Sequence, residues 1–312
     1  MKGIVVNGAT SMLGIALINL CISNNVEVLA IVRENSIKIN NIPKTPLIAI
    51  KECNLENIKN LELNDDIGLN YDAFYHLAWA DTSNKSRNNV DIHNMNIGYT
   101  LDAVYLANRL GCKTFIGAGS QAEYGIKDSV IKTSTECNPE TAYGIAKFAA
   151  GKLSAIKCDT LGMKHIWTRV FSVFGPYNNN ETMIMYCINK IIAGEVPNLT
   201  KCEQIWDYMF CDDAARALFL LGEKGIGKKV YNVASGKTRP LISYVKQIRN
   251  LINRDIHLGI GNMDYSKNQV MHLAADISDL INDTGFVPNT SFEEGIEKTL
   301  QWIKNTKINE TL

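Results

Sequence analysis

The chain has 312 residues, 46% of them apolar, enough for one large α/β unit or two packed domains around a sizeable core. Its 32 basic and 32 acidic side chains cancel and no lysine/arginine block stands out, which argues against nucleic acid or an anionic membrane surface as a partner. The eight cysteines stand singly, with no CxxC pair and no Cys/His cluster at metal-ligand spacing, so reduced thiols and no metal site are expected.

The N-terminal apolar run in MKGIVVNGAT is too short for a signal peptide and no later run approaches a membrane span, so a cytoplasmic protein is expected. Short β-branched runs then alternate with longer helical patterns: GIVV, SMLGIALINLCISN, VEVLAIV, AFYHLAW, NIGYTLDAVYLANRL and CKTFIGA. This alternation predicts right-handed βαβ crossovers and a Rossmann-like, doubly wound parallel sheet covered on both faces. Next come the helix pattern TAYGIAKFAAGKLSAI and the segment MKHIWTRVFSVFG, read as one strand ending in a turn at Gly175-Pro176. Beyond it, NNNETMIMYCINKIIAGE is a polar turn feeding an amphipathic helix, KKVYNVAS a strand, and LISYVKQIRNLI and TSFEEGIEKTLQWI two more helices. YNVAS reads as a returning core strand. The division that follows is a nucleotide-binding domain over 1–175 with 203–235, and a smaller, interleaved substrate domain over 176–202 with 236–312.

GIVVNGATSMLG places Gly8 just after the first strand and Gly14 just inside the first helix. Glycine suits a backbone that must turn tightly or approach a ligand, and a helix N-terminus offers free N–H groups and a positive dipole end to a pyrophosphate. A dinucleotide fits this geometry, although the strict GxGxxG pattern is absent and a strand-turn-helix without ligand has the same outline. At the end of the second strand, where NAD-type sites carry an acidic residue for the ribose, Val32 is followed by Arg33. A guanidinium there suits a 2′-phosphate and favours NADP(H) over NAD(H), the other reading being a solvated surface arginine.

In NPETAYGIAKFAAGKL, Tyr143 and Lys147 stand one helical turn apart, on one face. A phenol near its ordinary pKa of about 10 is a poor proton carrier at neutral pH, and a neighbouring ammonium lowers it. Such a pair exchanges a proton with a hydroxyl or carbonyl oxygen. The same spacing also occurs in plain surface pairs.

Several motifs coincide in order over nearly the whole chain: NGATSMLG, YHLAW, Asn96 in NMNIGYTLDAV, GSQAEYG, YGIAK, RVFSVFGP, WDYMFCDDAARAL, YNVASG and AADISDL. Together they resemble the extended short-chain dehydrogenase/reductases, the family of nucleotide-sugar epimerases, dehydratases and reductases. The GSQAEYG and HLAW variants are most similar to reductases of the CDP-abequose synthase type. The resemblance implies that Tyr143 is the acid/base, that Lys147 lowers its pKa and holds the nicotinamide ribose, and that Ser120 bonds the reacting sugar oxygen. It implies a pyrophosphate wrapped by Gly8, Ala9, Thr10, Ser11, Met12 and Gly14, with Leu77, Ala78, Phe171 and Val173 along the cofactor and Asn54 and Leu55 near the adenine. Gln121 and Ser172 would join Ser120 and Tyr143 at the substrate, a nucleoside-diphosphate sugar. Asn96 is expected to be a support within its helix and His76 a buried, satisfied histidine. The helices of Asn96–Tyr99 and Tyr143–Lys147 would form a homodimer interface.

Departures from the family pattern narrow the chemistry. Dehydratases carry an acidic pair directly after the serine, where this chain has Gln121 and Ala122. The reductase that also epimerises the ring uses a cysteine and a histidine at the positions of Ala122 and Tyr177. Elimination and ring epimerisation therefore lack their proton carriers. The asparagine and arginine that the family sets against the substrate diphosphate are Ser172 and Trp206 here, which leaves Lys201 and Arg239 as substitutes. What remains is NADPH-dependent reduction of a 4-keto-6-deoxy sugar on a nucleoside diphosphate, for a surface polysaccharide. A 4-epimerase with tightly held NAD is the alternative, and a non-catalytic dinucleotide-binding regulator a third reading. In FIGAGSQAEYG, Gly117 and Gly119 are expected to let the backbone pass close to the nicotinamide.

Overall fold

The computed structural model describes residues 1–62 and 71–311, the side chains of 84 and 307–311 excepted. The first half winds through β1 (Gly3–Asn7), α1 (Met12–Ser23), β2 (Glu27–Val32), β3 (Ile48–Glu52), β4 (Ala73–His76), α2 (Val90–Arg109), β5 (Thr114–Ser120), α3 (Ala142–Thr160) and β6 (Lys164–Val170). The second half adds β7 (Ser172–Phe174), α4 (Met183–Ile192), β8 (Asn198–Leu199), β9 (Ile205–Phe210), α5 (Cys211–Lys224) and β10 (Lys229–Val233). It ends with β11 (Thr238–Pro240), α6 (Leu241–Ile252), β12 (Gly259–Ile260), β13 (His272–Leu273), α7 (Ser278–Thr284) and α8 (Phe292–Thr311).

Seven strands make one sheet in the order β10-β6-β5-β4-β1-β2-β3, with every pairing parallel. A parallel sheet with helices on both faces buries both sides of its strands, so β1 is apolar on successive residues: Ile4, Val5 and Val6 have no exposed surface. Val6 belongs to the core under α1 and α5, and Val5 to the core under α2. The strand order reverses between β1 and β4, and such a switch point opens a crevice at the carboxyl ends of the strands.

YNVAS returns to this sheet as β10, its edge strand beside β6. MKHIWTRVFSVFG, by contrast, is two strands. The chain breaks at Phe171, which is buried beside Tyr124, and β7 leaves the main sheet to pair with β9. A second sheet of β11-β9-β13 forms around that pair. No glycine, proline or polar run separates the end of β6 from β7, so the sequence carries no mark of the change. β9 thus runs in the second sheet while α5, directly after it, packs on α1. Within 203–235, which the sequence reading puts in the first domain, β9 joins the second sheet and β10 the first.

Candidate active site

The crevice at the switch point is a cleft of about 830 Å³ lined by the loops after β1, β2, β3 and β4. Gly8, Thr10, Ser11, Arg33, Asn54, Leu55, Leu77 and Ala78 all face it. Glycine is enforced at two positions here. Gly8 has a φ of +87°, and a Cβ on it would sit 2.7 Å from the Ala78 backbone nitrogen; a Cβ on Gly14 would sit 2.7 Å from the Ala9 carbonyl oxygen. The turn after β1 is therefore pressed against the loop after β4. Ser11 caps α1, accepting the Gly14 N–H at 3.1 Å and donating to the Gly8 carbonyl at 2.8 Å. The first-turn N–H groups of Met12 and Leu13 have no intrahelical acceptor, and a backbone cradle of this kind fits a pyrophosphate. Ala9 is fully buried and serves the turn itself. At the other end of the cleft Ser36 and Lys38 join Arg33, while Glu34 accepts from the Asn54 amide at 2.9 Å.

β5 delivers Ser120 at its last residue, and a 3₁₀ turn over Gln121–Tyr124 follows. Ser120 and Glu123 form a capping box: the serine hydroxyl accepts the Ala122 N–H at 3.2 Å, and Glu123 Oε1 accepts the Ser120 N–H at 2.8 Å. The same carboxylate accepts Trp167 Nε1–H at 3.0 Å and pairs with Arg169 Nε at 2.8 Å, all of it buried. Sequence reasoning singled out neither Glu123 nor Arg169, although the S-x-x-E spacing was a visible signal. Gly117 and Gly119 also have a packing reason that the sequence did not show. A Cβ on either would collide with the Trp167 side chain, and one on Gly151 of α3 would meet it at 2.7 Å. These glycines house an indole.

Tyr143 sits in the first turn of α3, docked against the loop between β4 and α2. Its N–H donates to the Arg87 carbonyl at 3.0 Å, and the Ala142 N–H to Asn88 Oδ1 at 3.2 Å. Around the phenol ring stand the Arg87 guanidinium at 4.9 Å, the His93 ring at 5.5 Å and the Trp79 ring edge-on at 6.0 Å. Trp79 Nε1–H donates to His93 Nδ1 at 3.2 Å, and His93 Nε2 lies 3.0 Å from the Ser86 carbonyl. Lys147 is on the same helical face, yet its stem runs inward. The ammonium donates to the Ala118 carbonyl at 2.6 Å, lies 3.7 Å over the Trp79 ring, and is 5.9 Å from the Tyr143 ring centre.

These contacts place further groups around the Tyr143–Lys147 pair. Burial pushes the Tyr143 phenol above its ordinary value of 10.0, against the hydrogen bond from Ser120 and the charge of Arg87, which pull it down; Glu123 adds to the rise. Lys147 is itself lowered to about 7 by burial, with the Glu123 carboxylate opposing. The helical spacing places two side chains on one face without fixing where the longer one ends.

His76 is a satisfied core residue: Asn7 Nδ2 lies 3.0 Å from Nδ1 and Thr100 Oγ1 3.3 Å from Nε2, and burial lowers the imidazole to about 3, which keeps it neutral. Asn96 is a clamp, its amide spanning the Ala80 N–H at 2.7 Å and the Ala80 carbonyl at 2.9 Å. Several candidates for the substrate side are engaged elsewhere. Ser172 accepts Trp206 Nε1–H at 2.8 Å. Arg239 stacks 4.2 Å over Tyr244, donates to Gln247 at 3.1 Å, and lines a second cleft of about 340 Å³ with Lys237. Phe171 is buried, Val173 lies in β7, Gln121 is half-buried on the 3₁₀ turn, and Lys201 is exposed ahead of β9. Among the described residues no helix is long and apolar enough to cross a membrane, and no three metal-ligating side chains cluster.

The chain belongs to the NAD dependent epimerase/dehydratase family, whose model matches residues 4–234. It is 32% identical over 194 residues to dTDP-glucose 4,6-dehydratase of Escherichia coli, a match that covers 58% of this chain and 54% of that one. The enzyme of the same name from Neisseria meningitidis serogroup B is 26% identical over 196 residues, covering 59% and 55%. The chain thus spans about half the length of the curated relatives it matches. Among solved structures, UDP-N-acetylglucosamine 4-epimerase from Methanobrevibacter ruminantium M1 superposes with a TM-score of 0.86 at 24% identity, over 98% of this chain and 99% of that one. UDP-glucuronic acid 4-epimerase from Bacillus cereus, in complex with NAD, gives 0.83 at 18%, over 98% and 99%. At these identities the likeness is one of fold.

Proposed function

We propose that the chain moves a hydride and a proton at C4 of a nucleoside-diphosphate sugar without eliminating water, and that it does so as a 4-epimerase with a retained dinucleotide. The observation that carries this is the state of the proton carriers beside Ser120. Gln121 and Ala122 cannot titrate, and the one carboxylate of that turn, Glu123, is buried and committed to the Ser120 N–H, Trp167 and Arg169. His93, the imidazole nearest Tyr143, has both ring nitrogens engaged. Elimination therefore has no acid, although the curated relatives are named for it.

The residues of the cleft support the rest. The cradle of Gly8, Ser11 and Gly14 with the first turn of α1 would hold the pyrophosphate, and Asn54 and Leu55 the adenine end. When bound, the dinucleotide supplies the hydride acceptor and donor. Tyr143 takes the proton of the C4 hydroxyl as the carbonyl forms and returns it when the carbinol is restored, with the Ser120 hydroxyl orienting that oxygen. Lys147 holds the ribose side and Trp79 screens it from water. Full-length 4-epimerases share the fold, and a cofactor that ends each cycle unchanged fits them.

A second reading has an observation of its own. Arg33, Ser36 and Lys38 put two cations and a hydroxyl at the adenosine end, a set suited to a 2′-phosphate, and favour an NADPH-dependent reductase of a 4-keto-6-deoxy sugar, of the CDP-abequose synthase type, serving a surface polysaccharide. Exposed apolar residues on α2 (Val90, Met95, Tyr105) and α3 (Ile145, Leu153, Ile156) support a homodimer through these helices. Identifying the dinucleotide released on denaturing the purified protein separates the two readings. NAD, with no net consumption of NADPH on a nucleotide sugar, supports epimerisation; stoichiometric NADPH oxidation overturns it in favour of reduction.

A further inference from the structure

We propose that Arg87, on the loop between β4 and α2, is a positioning residue that lowers the proton affinity of Tyr143, acting beside Lys147. The inference rests on the reading of Tyr143 as the proton carrier. Its first support is placement: the guanidinium lies 4.9 Å from the phenol ring centre, whereas the Lys147 ammonium lies 5.9 Å away and is held by the Ala118 carbonyl.

The second support is anchoring. The Arg87 carbonyl accepts the N–H of Tyr143 itself, and neighbouring Asn88 accepts that of Ala142, so the loop is bolted to the residue it acts on. Its other contacts are equally fixed: the Ser86 carbonyl on His93, and the Ala80 peptide on Asn96. The backbone that carries Arg87 is thereby tied to the first turn of α3.

The third support is charge constancy. The charged or titratable groups facing the phenol are Arg87 from this loop, His93 from α2, Lys147 from α3 and Glu123 from the 3₁₀ turn. Burial lowers Lys147 to about 7, so its charge is only partly present at neutral pH in the unliganded protein. A guanidinium keeps its charge throughout. Glu123 raises the phenol, while the Ser120 hydrogen bond and the charge of Arg87 lower it.

The test needs no substrate. A fluorinated tyrosine, intrinsically more acidic than tyrosine, is incorporated at position 143 and its ionisation followed by fluorine NMR in the unliganded protein. Arg87→Gln is expected to raise the titration midpoint by roughly half a unit or more, the shift that one charge about 5 Å away produces even at a water-like dielectric constant. Arg87→Lys, which keeps the charge, is expected to move it less. An unchanged midpoint in Arg87→Gln would overturn the proposal. If instead Tyr143→Phe kept full turnover, the reading of Tyr143 would fall while the titration still decided the role of Arg87.

Discussion

Glu123 and Arg169 form a buried ion pair, Oε2 to Nε at 2.8 Å, directly behind the backbone of Ser120. The pair joins β6 to the turn that presents the serine, so packing and the proposed site share one carboxylate. Glu123→Ala would leave the guanidinium buried without its partner, at a cost of about 3–5 kcal/mol. Urea denaturation measures this loss. Replacing both partners, Glu123→Leu with Arg169→Met, is expected to recover much of the stability but not the activity, because the Ser120 N–H would still lack its acceptor. Equal activity in the double variant and the parent would refute the positioning role.

Lys147 offers a trade between stability and function. Its pKa falls from the ordinary 10.5 to about 7 on folding, so the unfolded chain binds the proton more tightly and the folded protein gains stability as pH rises across that window. Lys147→Met is therefore expected to stabilise the unliganded protein by about 1–4 kcal/mol at neutral pH, with the gain fading toward the ordinary lysine pKa. Activity should be lost. A Lys147→Met protein less stable than the parent at every pH would contradict the burial argument.

Acid sensitivity follows from two buried histidines. His76 is lowered to about 3 and His165 to about 4, from 6.5, so each resists protonation when folded. Stability is full above the ordinary histidine pKa and declines as pH falls below it. Asp207, raised to about 6 by burial, acts in the opposite sense and offsets one of them. The net slope is then that of one histidine, up to about 1.4 kcal/mol per pH unit below pH 6. Denaturation midpoints that stay flat from neutral pH to about 5 would exclude it.

The strand-turn-helix that opens the cleft was legible because it is local. Gly8, Ser11 and Gly14 act within one strand-turn-helix, and the apolar runs of β1, β2 and β4 announce a buried parallel sheet. Tyr143 was legible as a motif, but the direction of the Lys147 stem depends on Ala118 and Trp79, which come from other elements. Gly117, Gly119 and Gly151 owe their identity to Trp167, a contact no local pattern contains. Arg87 lies in the polar segment SNKSRNN, where neither periodicity nor composition separates a site residue from a solvated one. The break between β6 and β7 was hidden for a different reason: Phe171 joins them with no glycine, proline or polar run between.

Tyr143→Phe removes the proposed proton carrier and leaves the cradle untouched. Turnover is expected to fall by about 10²–10⁴-fold while dinucleotide affinity stays near that of the parent. Fluorescence titration with NAD and NADPH alongside a rate assay checks both. A comparable fall in cofactor affinity would move Tyr143 from chemistry to binding.

The exclusion of elimination is tested most directly by proton NMR of the sugar product formed from nucleoside-diphosphate hexoses in deuterated water. Inversion at C4, with the hydrogen at C5 retained and C6 unchanged, is the expected result. A 4-keto-6-deoxy product carrying solvent deuterium at C5 would contradict it, because some group beside Ser120 would then be supplying the proton transfers that Gln121, Ala122 and the committed Glu123 cannot.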